Sequence, residues 1–138
     1  MKLTGLFLAT AAAAAAITAA PTASASVTTW DACPQGEFCL FENTDGAGRY
    51  ATFKNGHKYL DQMGFEDKAS SVWNRYVNPI CLYEHGGYGG RSIIIKKGGK
   101  GNLNGTVNGF YWNDKVSSTQ SARWSAPPRN PAAGQWVC

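Results

Sequence analysis

The chain has 138 residues, of which 43% are hydrophobic and 16% charged, and 13 basic residues stand against 9 acidic ones. This length fits one domain with a core of its own. The net charge of +4 is too small for the dense basic surface of a nucleic-acid-binding protein. We therefore expect no nucleic-acid partner.

The first 25 residues have the pattern of a secretory signal peptide. Met1-Lys2 is basic, residues 3–20 form an apolar, alanine-rich run, and Ala23-Ser24-Ala25 has the A-x-A form of a cleavage site. A run of about 18 apolar residues is also long enough for a membrane helix. The alanine content, the N-terminal position and the cleavage motif favour the signal peptide. We predict a secreted mature protein, residues 26–138, with one domain and no membrane span.

Four cysteines in an exported chain, Cys33, Cys39, Cys81 and Cys138, indicate disulfide bonds. A proline and a glycine between Cys33 and Cys39 can turn the chain, which favours a bridge between these two. Elimination then pairs Cys81 with Cys138. Cys39 and Cys81 begin two copies of a repeat, so a bridge between them stays open. A zinc site is the weaker interpretation, because there is no C-x-x-C pair and the chain has two histidines.

The sequence repeats itself from Cys39 onward. Residues 39–49 (CLFENTDGAGR) align without a gap with residues 81–91 (CLYEHGGYGGR), at an offset of 42. A period of this length is typical of a duplicated supersecondary unit. Residues 66–71 (EDKASS) and 113–118 (NDKVSS) match at an offset of 47, so the second half has about five extra residues. We place them in segment 97–108, a Gly- and Asn-rich stretch where a loop tolerates insertion.

The mature chain is predicted to form strands and no helix. Short apolar or alternating runs bounded by Gly-rich turns indicate strands at 38–42, 50–53, 70–76, 80–84 and 92–95. Gly48 and Gly90 fit sharply folded hairpins in which φ is positive.

The fold expected from this pattern is an all-β sandwich of two Greek-key motifs. Motif one covers about 38–77 and motif two about 80–124. The remaining residues, 125–138, form a C-terminal strap.

The acid-serine stretches, residues 66–71 and 113–118, have the composition of a site for a hard cation. Calcium takes six to eight oxygen ligands, more than one stretch supplies. Two stretches that face each other would each lend an acid to the partner's site. Ser and Asp also satisfy the backbone of turns, but two copies at matching places of a repeat favour calcium.

Residues 83–91 (YEHGGYGGR) resemble the folded-hairpin signature of the βγ-crystallin superfamily. The acid-serine stretches resemble the calcium signature of its microbial members, and together these motifs cover about residues 39–123. The N-terminal Cys-Pro-x-Gly-x-x-Cys element resembles the small secreted peptidase inhibitors of actinobacteria, which share this fold. The first copy departs twice: Gly46 stands in place of the hairpin aromatic, and Glu66 stands where Asn or Asp is usual.

This resemblance implies two calcium sites, each built by both motifs. The first would use the Lys68 and Glu42 carbonyls, the Ser70 hydroxyl and the Asp114 side chain. The second would use the Lys115 and Glu84 carbonyls, the Ser117 hydroxyl and the Asp67 side chain. One carboxylate per site predicts weak to moderate affinity. The two sites are expected to differ, because the motif with Ser117 matches the signature better.

No catalytic constellation is recognisable, since His57 and His85 have no evident partner and Ser117-Ser118 lacks the G-x-S-x-G pattern. The tail, residues 125–131 (SAPPRNP), is stiffened by three prolines. A rigid, disulfide-anchored segment suits a peptidase inhibitor, because preorganisation lowers the entropy lost on binding. The simpler interpretation is a strap over an open sheet edge.

We therefore expect a secreted, monomeric, non-catalytic protein that inhibits extracellular peptidases, metallo- or serine peptidases among them, and that uses calcium as a stabilising ion. The resemblance is the main source of the inhibitor expectation. Two alternatives stay open: a calcium-binding structural or polysaccharide-binding module of the cell wall, and a small secreted antimicrobial toxin.

Overall fold

The computed structural model describes residues 29–107 and 109–138. The predicted signal peptide, residues 1–25, lies outside this range. Among the described residues no helix is both long enough and apolar enough to cross a membrane.

The regular elements of the described residues are strands and short 3-10 turns. The strands are β1 (Phe38–Phe41), β2 (Tyr50–Phe53), β3 (Gly56–His57), β4 (Ser71–Asn74), β5 (Ile80–His85), β6 (Gly89–Ile95), β7 (Lys100–Asn102), β8 (Thr106–Val107), β9 (Phe110–Tyr111), β10 (Ser118–Ser121), β11 (Arg123–Ser125) and β12 (Gln135–Val137). The 3-10 turns are Trp30–Ala32, Thr44–Gly46, Leu60–Met63, Gly86–Tyr88 and Pro131–Ala133. All five predicted strands are present, with ends that differ by up to three residues.

Two antiparallel four-stranded sheets form the sandwich, in the orders β2-β1-β4-β7 and β3-β10-β5-β6. Each motif keeps three strands in its own sheet and gives its third strand to the other sheet. Strand β7 of motif two pairs with β4, and β3 of motif one pairs with β10. This exchange interlocks the two motifs, and the predicted all-β Greek-key fold is confirmed.

Side chains alternate along β1 and β5, as they must in strands. Phe38 and Leu40 of β1 lie in the central core between the sheets, together with Leu82 of β5. Cys39 and Phe41 belong instead to a cluster on the outward face of the first sheet. The odd-numbered positions of β5 do the same on the second sheet, where they form a third cluster.

Each outward face is closed by one end of the described chain and one disulfide. Cys33–Cys39 fastens the turn Trp30–Ala32 onto the first sheet, and Cys81–Cys138 fastens the hairpin of β11 and β12 onto the second. The predicted pairing is therefore confirmed. Cys39 and Cys81 lie on opposite outer faces, which is why they do not bond to each other. The strap covers a sheet face, whereas we expected it to cover an edge.

The extra residues of motif two fall on both sides of β7. His57 pairs with Thr119 and Gly101 pairs with Val72, which makes His57 and Gly101 equivalent at an offset of 44. Two of the five extra residues therefore precede β7, and three lie between β7 and the acid-serine stretch. We expected segment 97–108 to be a loop, but it contains two strands. Strand β7 pairs with β4, and β8 forms a small hairpin with β9.

Candidate functional site

The two folded hairpins have matching backbones. Gly48 and Gly90, the glycines predicted to need positive φ, have φ of 79° and 73°. Asp45 and Gly46 in motif one are also left-handed, and Tyr88 has a φ of 64° at the position equivalent to Gly46. A Cβ atom at Gly90 would lie 2.7 Å from the side chain of His85. Only glycine fits there without displacement.

The second serine of each acid-serine stretch fixes the hairpin of its own motif. The fully buried Ser71 hydroxyl donates to the Asn43 carbonyl at 2.6 Å and accepts from the Gly46 amide at 3.1 Å. The equivalent bonds in motif two join the buried Ser118 hydroxyl to the His85 carbonyl at 2.6 Å and the Tyr88 amide at 3.0 Å. The sequence does not predict this role, although both serines belong to the repeated pattern.

The first serine of each stretch contacts the acid of the opposite stretch. The Ser70 hydroxyl lies 3.4 Å from Asp114 Oδ1, and the Ser117 hydroxyl lies 3.1 Å from Asp67 Oδ1. These are the two hydroxyl–carboxylate pairs that the resemblance implied. Each pair joins motif one to motif two.

Backbone hydrogen bonds hold the two stretches against each other. The Asp67 amide donates to the Val116 carbonyl at 3.1 Å, and the Asp114 amide donates to the Ala69 carbonyl at 3.0 Å. Both aspartates are left-handed, with φ of 51° and 53°. Asp tolerates this conformation better than most residues. The strained backbone turns each exposed carboxylate toward the other motif's serine, and backbone strain of this kind clusters at functional sites.

The predicted carbonyl ligands lie close by. The Ser70 amide donates to the Phe41 carbonyl at 2.8 Å, which places Ser70 beside Glu42, the residue that directly follows β1. In motif two the equivalent bond, from the Ser117 amide to the Tyr83 carbonyl at 2.9 Å, places Ser117 beside Glu84.

One shallow cleft brings the first predicted ligand set together. Its lining residues are Glu42, Asn43, Asp67, Lys68, Ser70 and Asp114. Lys68 belongs to this cleft, and Lys115 is exposed directly after Asp114. All four predicted ligands of the Ser70 site are therefore neighbours.

The two sites differ in how their acid is held. Asn113 donates its side-chain amide to Asp114 Oδ2 at 2.7 Å, which orients the carboxylate that reaches Ser70. The equivalent residue of motif one is Glu66, whose side chain has no N–H group to donate. Asp67, which reaches Ser117, therefore lacks this support and has a like charge beside it in sequence.

The donor chemistry fits a hard cation. In the described residues no three His, Cys, Asp or Glu side chains lie close enough together to hold a metal ion. Each predicted site instead offers one carboxylate among hydroxyl and carbonyl oxygens, a set that calcium accepts and that zinc, which prefers nitrogen and sulfur, does not.

The aromatic residue missing from the first hairpin is supplied from outside the repeat. In motif two, Tyr88 packs against Tyr83 with ring centroids 5.6 Å apart. In motif one, Trp30 packs edge-on against Phe41, the equivalent of Tyr83, at 5.3 Å. A Cβ atom at Gly46 would lie 2.6 Å from the Trp30 ring, so Trp30 occupies the space of the absent side chain.

Solved structures with the same fold are βγ-crystallins. A βγ-crystallin from Ciona intestinalis is 22% identical over 62% of this chain and 99% of its own, with a TM-score of 0.53. A βγ-crystallin from an archaeon is 18% identical over 64% of this chain and 99% of its own, with a TM-score of 0.52. A structure concerned with the evolution of the eye lens βγ-crystallin domain fold is 19% identical over 64% and 87%, with a TM-score of 0.57.

These identities are low and show the fold alone. No curated protein matches the sequence significantly. Residues 27–95, half of the chain, match the sequence model of peptidase inhibitor family I36. The matched segment contains the Cys33–Cys39 element, the first motif and the hairpin of the second. The chain therefore belongs to the I36 family of peptidase inhibitors, and it has the βγ-crystallin fold.

Proposed function

We propose that the mature protein is a secreted inhibitor of extracellular peptidases whose fold calcium stabilises. Membership of the I36 family is the observation that carries the inhibitory part. Membership of an inhibitor family also supports the proposal that this protein has no catalytic activity of its own.

The architecture suits an inhibitor that must survive beside peptidases. Proteolysis requires local unfolding, and segments with few buried contacts open most easily. Both ends of the described chain are fastened by disulfides, and the two sheets exchange a strand. A domain built in this way opens little, and a preorganised surface loses less entropy when it binds.

Calcium would be held by the two crossed oxygen sets. The Ser70 set contains Asp114 and the Ser117 set contains Asp67, with the Lys68, Lys115, Glu42 and Glu84 carbonyls as further ligands. An ion in either set would link motif one to motif two. It would also offset the repulsion between the carboxylates of Asp67 and Asp114, which line the same cleft. An ion that prefers the folded state stabilises it by about 2.7 kcal/mol at a hundredfold excess over Kd.

Inhibition is tested with the mature protein, residues 26–138, at micromolar concentration. The panel contains secreted metallopeptidases and serine peptidases, each assayed with a fluorogenic substrate. We expect inhibition that saturates at one inhibitor per enzyme in at least one class. The matched control is the same protein after reduction and alkylation of its disulfides, which should lose the activity. A folded protein that inhibits no member of the panel would contradict the proposal.

A further inference from the structure

An apolar cleft opens at one side of the sandwich, where β6 and β7 are the last strands of the two sheets. Its volume is about 410 Å³, and the apolar part of its wall includes Val72, Ile93, Ile95, Leu103, Val107 and Trp112. Small-molecule sites in proteins have volumes of about 300–1,000 Å³, walls that are mostly apolar and a small number of polar groups. None of the predicted calcium ligands lines this cleft.

A smaller cleft of about 310 Å³ adjoins the first one. The two share Ile93, Val107 and Trp112, and the smaller cleft adds Phe110 and the cationic Arg91. Trp112 is therefore part of the wall of both clefts.

The Trp112 indole contains a polar atom without a partner. Trp112 is 1% exposed, and its Nε1 hydrogen has no acceptor among the residues that the structure describes. Phe110 packs edge-to-face against Trp112 with ring centroids 5.1 Å apart, but an aromatic ring is only a weak acceptor. Because a buried donor without an acceptor is costly, this N–H group points to an acceptor on a ligand.

The first motif shows that the fold does not need an N–H group at this position. Trp112 and Phe65 each directly precede the acid-serine stretch of their motif, so they are equivalent in the repeat. Phe65 is also buried, at 2% exposure, and fills its position without any polar side-chain atom. The indole donor of motif two is therefore an addition that core packing alone does not explain.

The equivalent arginines of the two hairpins are held differently. Arg49 donates from Nη2 to the Gly64 carbonyl at 2.7 Å. Arg91 lies over the Phe110 ring at 4.5 Å, and within the described part of the chain no hydrogen bond engages its guanidinium. Its contact with Glu84 is an ion pair at 3.6 Å, longer than a hydrogen bond. The Arg91 guanidinium therefore keeps free donors beside the smaller cleft.

The charges around the two clefts favour an anion. No acidic residue of the described chain lines either cleft. Arg91 and the Trp112 N–H group both offer hydrogen bonds, and such bonds are strongest when the acceptor is charged. The larger cleft is suited to hydrocarbon, because removal of apolar surface from water is favourable in proportion to its area.

We propose that the two clefts form one binding site for a fatty carboxylate. The carboxylate accepts hydrogen bonds from Trp112 Nε1 and from the Arg91 guanidinium, and the hydrocarbon chain fills the larger cleft. This site is separate from the calcium sites and does not depend on the proposed inhibitory function.

The test uses dodecanoate below its micelle-forming concentration and the mature protein with both disulfides intact. Calorimetric titration should show one equivalent bound. Dodecyltrimethylammonium, which has the same chain and the opposite charge, should bind at least about tenfold more weakly, since it offers no acceptor to the two donors. In the ¹⁵N spectrum, assigned by side-chain correlations, the Trp112 indole signal should shift on saturation with dodecanoate.

Two substitutions probe the two donors. Trp112→Phe copies the residue of motif one, and it should weaken dodecanoate binding at least about tenfold, the effect of one lost hydrogen bond to a charged group. Arg91→Gln should weaken it by a similar factor. Arg49→Gln is the matched control, because it removes the same charge and an equivalent ion pair, Arg49 with Glu42 at 3.6 Å. It should bind dodecanoate within about twofold of wild type.

Several outcomes would overturn the inference. Absence of binding, or a Trp112 indole signal that stays in place at saturation, would show that the site is not here. Equal affinity for dodecyltrimethylammonium, or an equal loss in Arg49→Gln and Arg91→Gln, would show that no carboxylate is recognised. A dimer in sedimentation that Trp112→Phe dissociates would assign the cleft to a second copy of the chain. The indole shift and Arg91→Gln decide the matter even if Trp112→Phe does not fold.

Discussion

Substitution of Trp30 tests most directly whether this residue supplies the aromatic side chain that the first hairpin lacks. We predict that Trp30→Ala destabilises the protein substantially although residue 30 precedes the first strand and lies outside the repeat. Trp30 is partly buried and contacts Phe41 at 5.3 Å and Trp73 at 6.4 Å between ring centroids. The Lys100 ammonium also lies over its ring, at 5.4 Å.

The expected loss follows from these contacts. Truncation of a fully buried Trp to Ala costs about 3–5 kcal/mol. Trp30 keeps some exposure to solvent, so we expect about 2–3 kcal/mol, which includes the aromatic pairs at about 0.5–1.5 kcal/mol each. For a domain of this size that loss lowers the melting temperature by about 10 °C.

Chemical denaturation of oxidised protein measures the effect. Tyr111→Ala is the control, because Tyr111 is 47% exposed and its removal should cost less than about 1 kcal/mol. Gly46→Tyr should be destabilising alone, because its side chain collides with Trp30. In the Trp30→Ala background it should cost at least about 1 kcal/mol less, as coupled neighbours do. Additive effects of the two substitutions, or a Trp30→Ala protein as stable as wild type, would refute the inference that Trp30 takes the place of the aromatic side chain absent at Gly46.

Three further predictions concern the repeat and its disulfides. Ser118→Ala should lower the free energy of unfolding by about 2 kcal/mol, because the hydrogen bonds to the His85 carbonyl and from the Tyr88 amide are both lost, at about 1 kcal/mol each; a loss below the error of denaturant titration would contradict this. Gly90→Ala should cost about 1–2 kcal/mol, whereas Gly101→Ala, where a Cβ meets nothing within 4 Å, should melt close to wild type; equal melting temperatures would count against the strained hairpin. Non-reducing peptide mapping should recover Cys81 joined to Cys138, and either cysteine joined to another partner would contradict the pairing.

Much of the fold is predictable because its signals are local. The strands β1, β2, β4, β5 and β6 each have apolar residues at the spacing of their partly or wholly buried faces. Gly48 and Gly90 mark the hairpins through their own conformational needs. The disulfide pairing follows from short spacing and elimination.

The remainder depends on contacts between distant residues. Strands β3 and β7 have two and three residues and contain glycine. Neither has an alternating pattern, so the sequence does not predict that each motif gives this strand to the other sheet. Gly46 signalled a missing aromatic, but nothing local connects it to Trp30. The hairpin role of Ser71 and Ser118 depends on hydrogen bonds to residues 25 to 33 positions earlier in the chain, and a Ser-Ser pair that also fits a calcium pattern does not indicate such bonds.

The candidate site was predictable to the extent that the repeat is symmetric. The crossed pairs Ser70 with Asp114 and Ser117 with Asp67 are close in the structure, as the resemblance implied. The Asn113 bond to Asp114 was not foreseen, because side-chain orientation within a turn depends on its three-dimensional geometry.

Calorimetric titration of calcium into chelator-treated protein tests the crossed sites most directly. The wild type should bind calcium with two distinguishable affinities and melt at a higher temperature in millimolar calcium. Asp114→Asn, which preserves the left-handed turn because Asn tolerates it, should weaken the same site as Ser70→Ala, because it removes the one charged ligand of that site. Ser117→Ala should remove the other site and leave the first intact. If the wild type shows neither heat nor a melting shift, the acid-serine stretches are only turns, and if Asp114→Asn and Ser117→Ala remove the same site, the motifs do not share their acids.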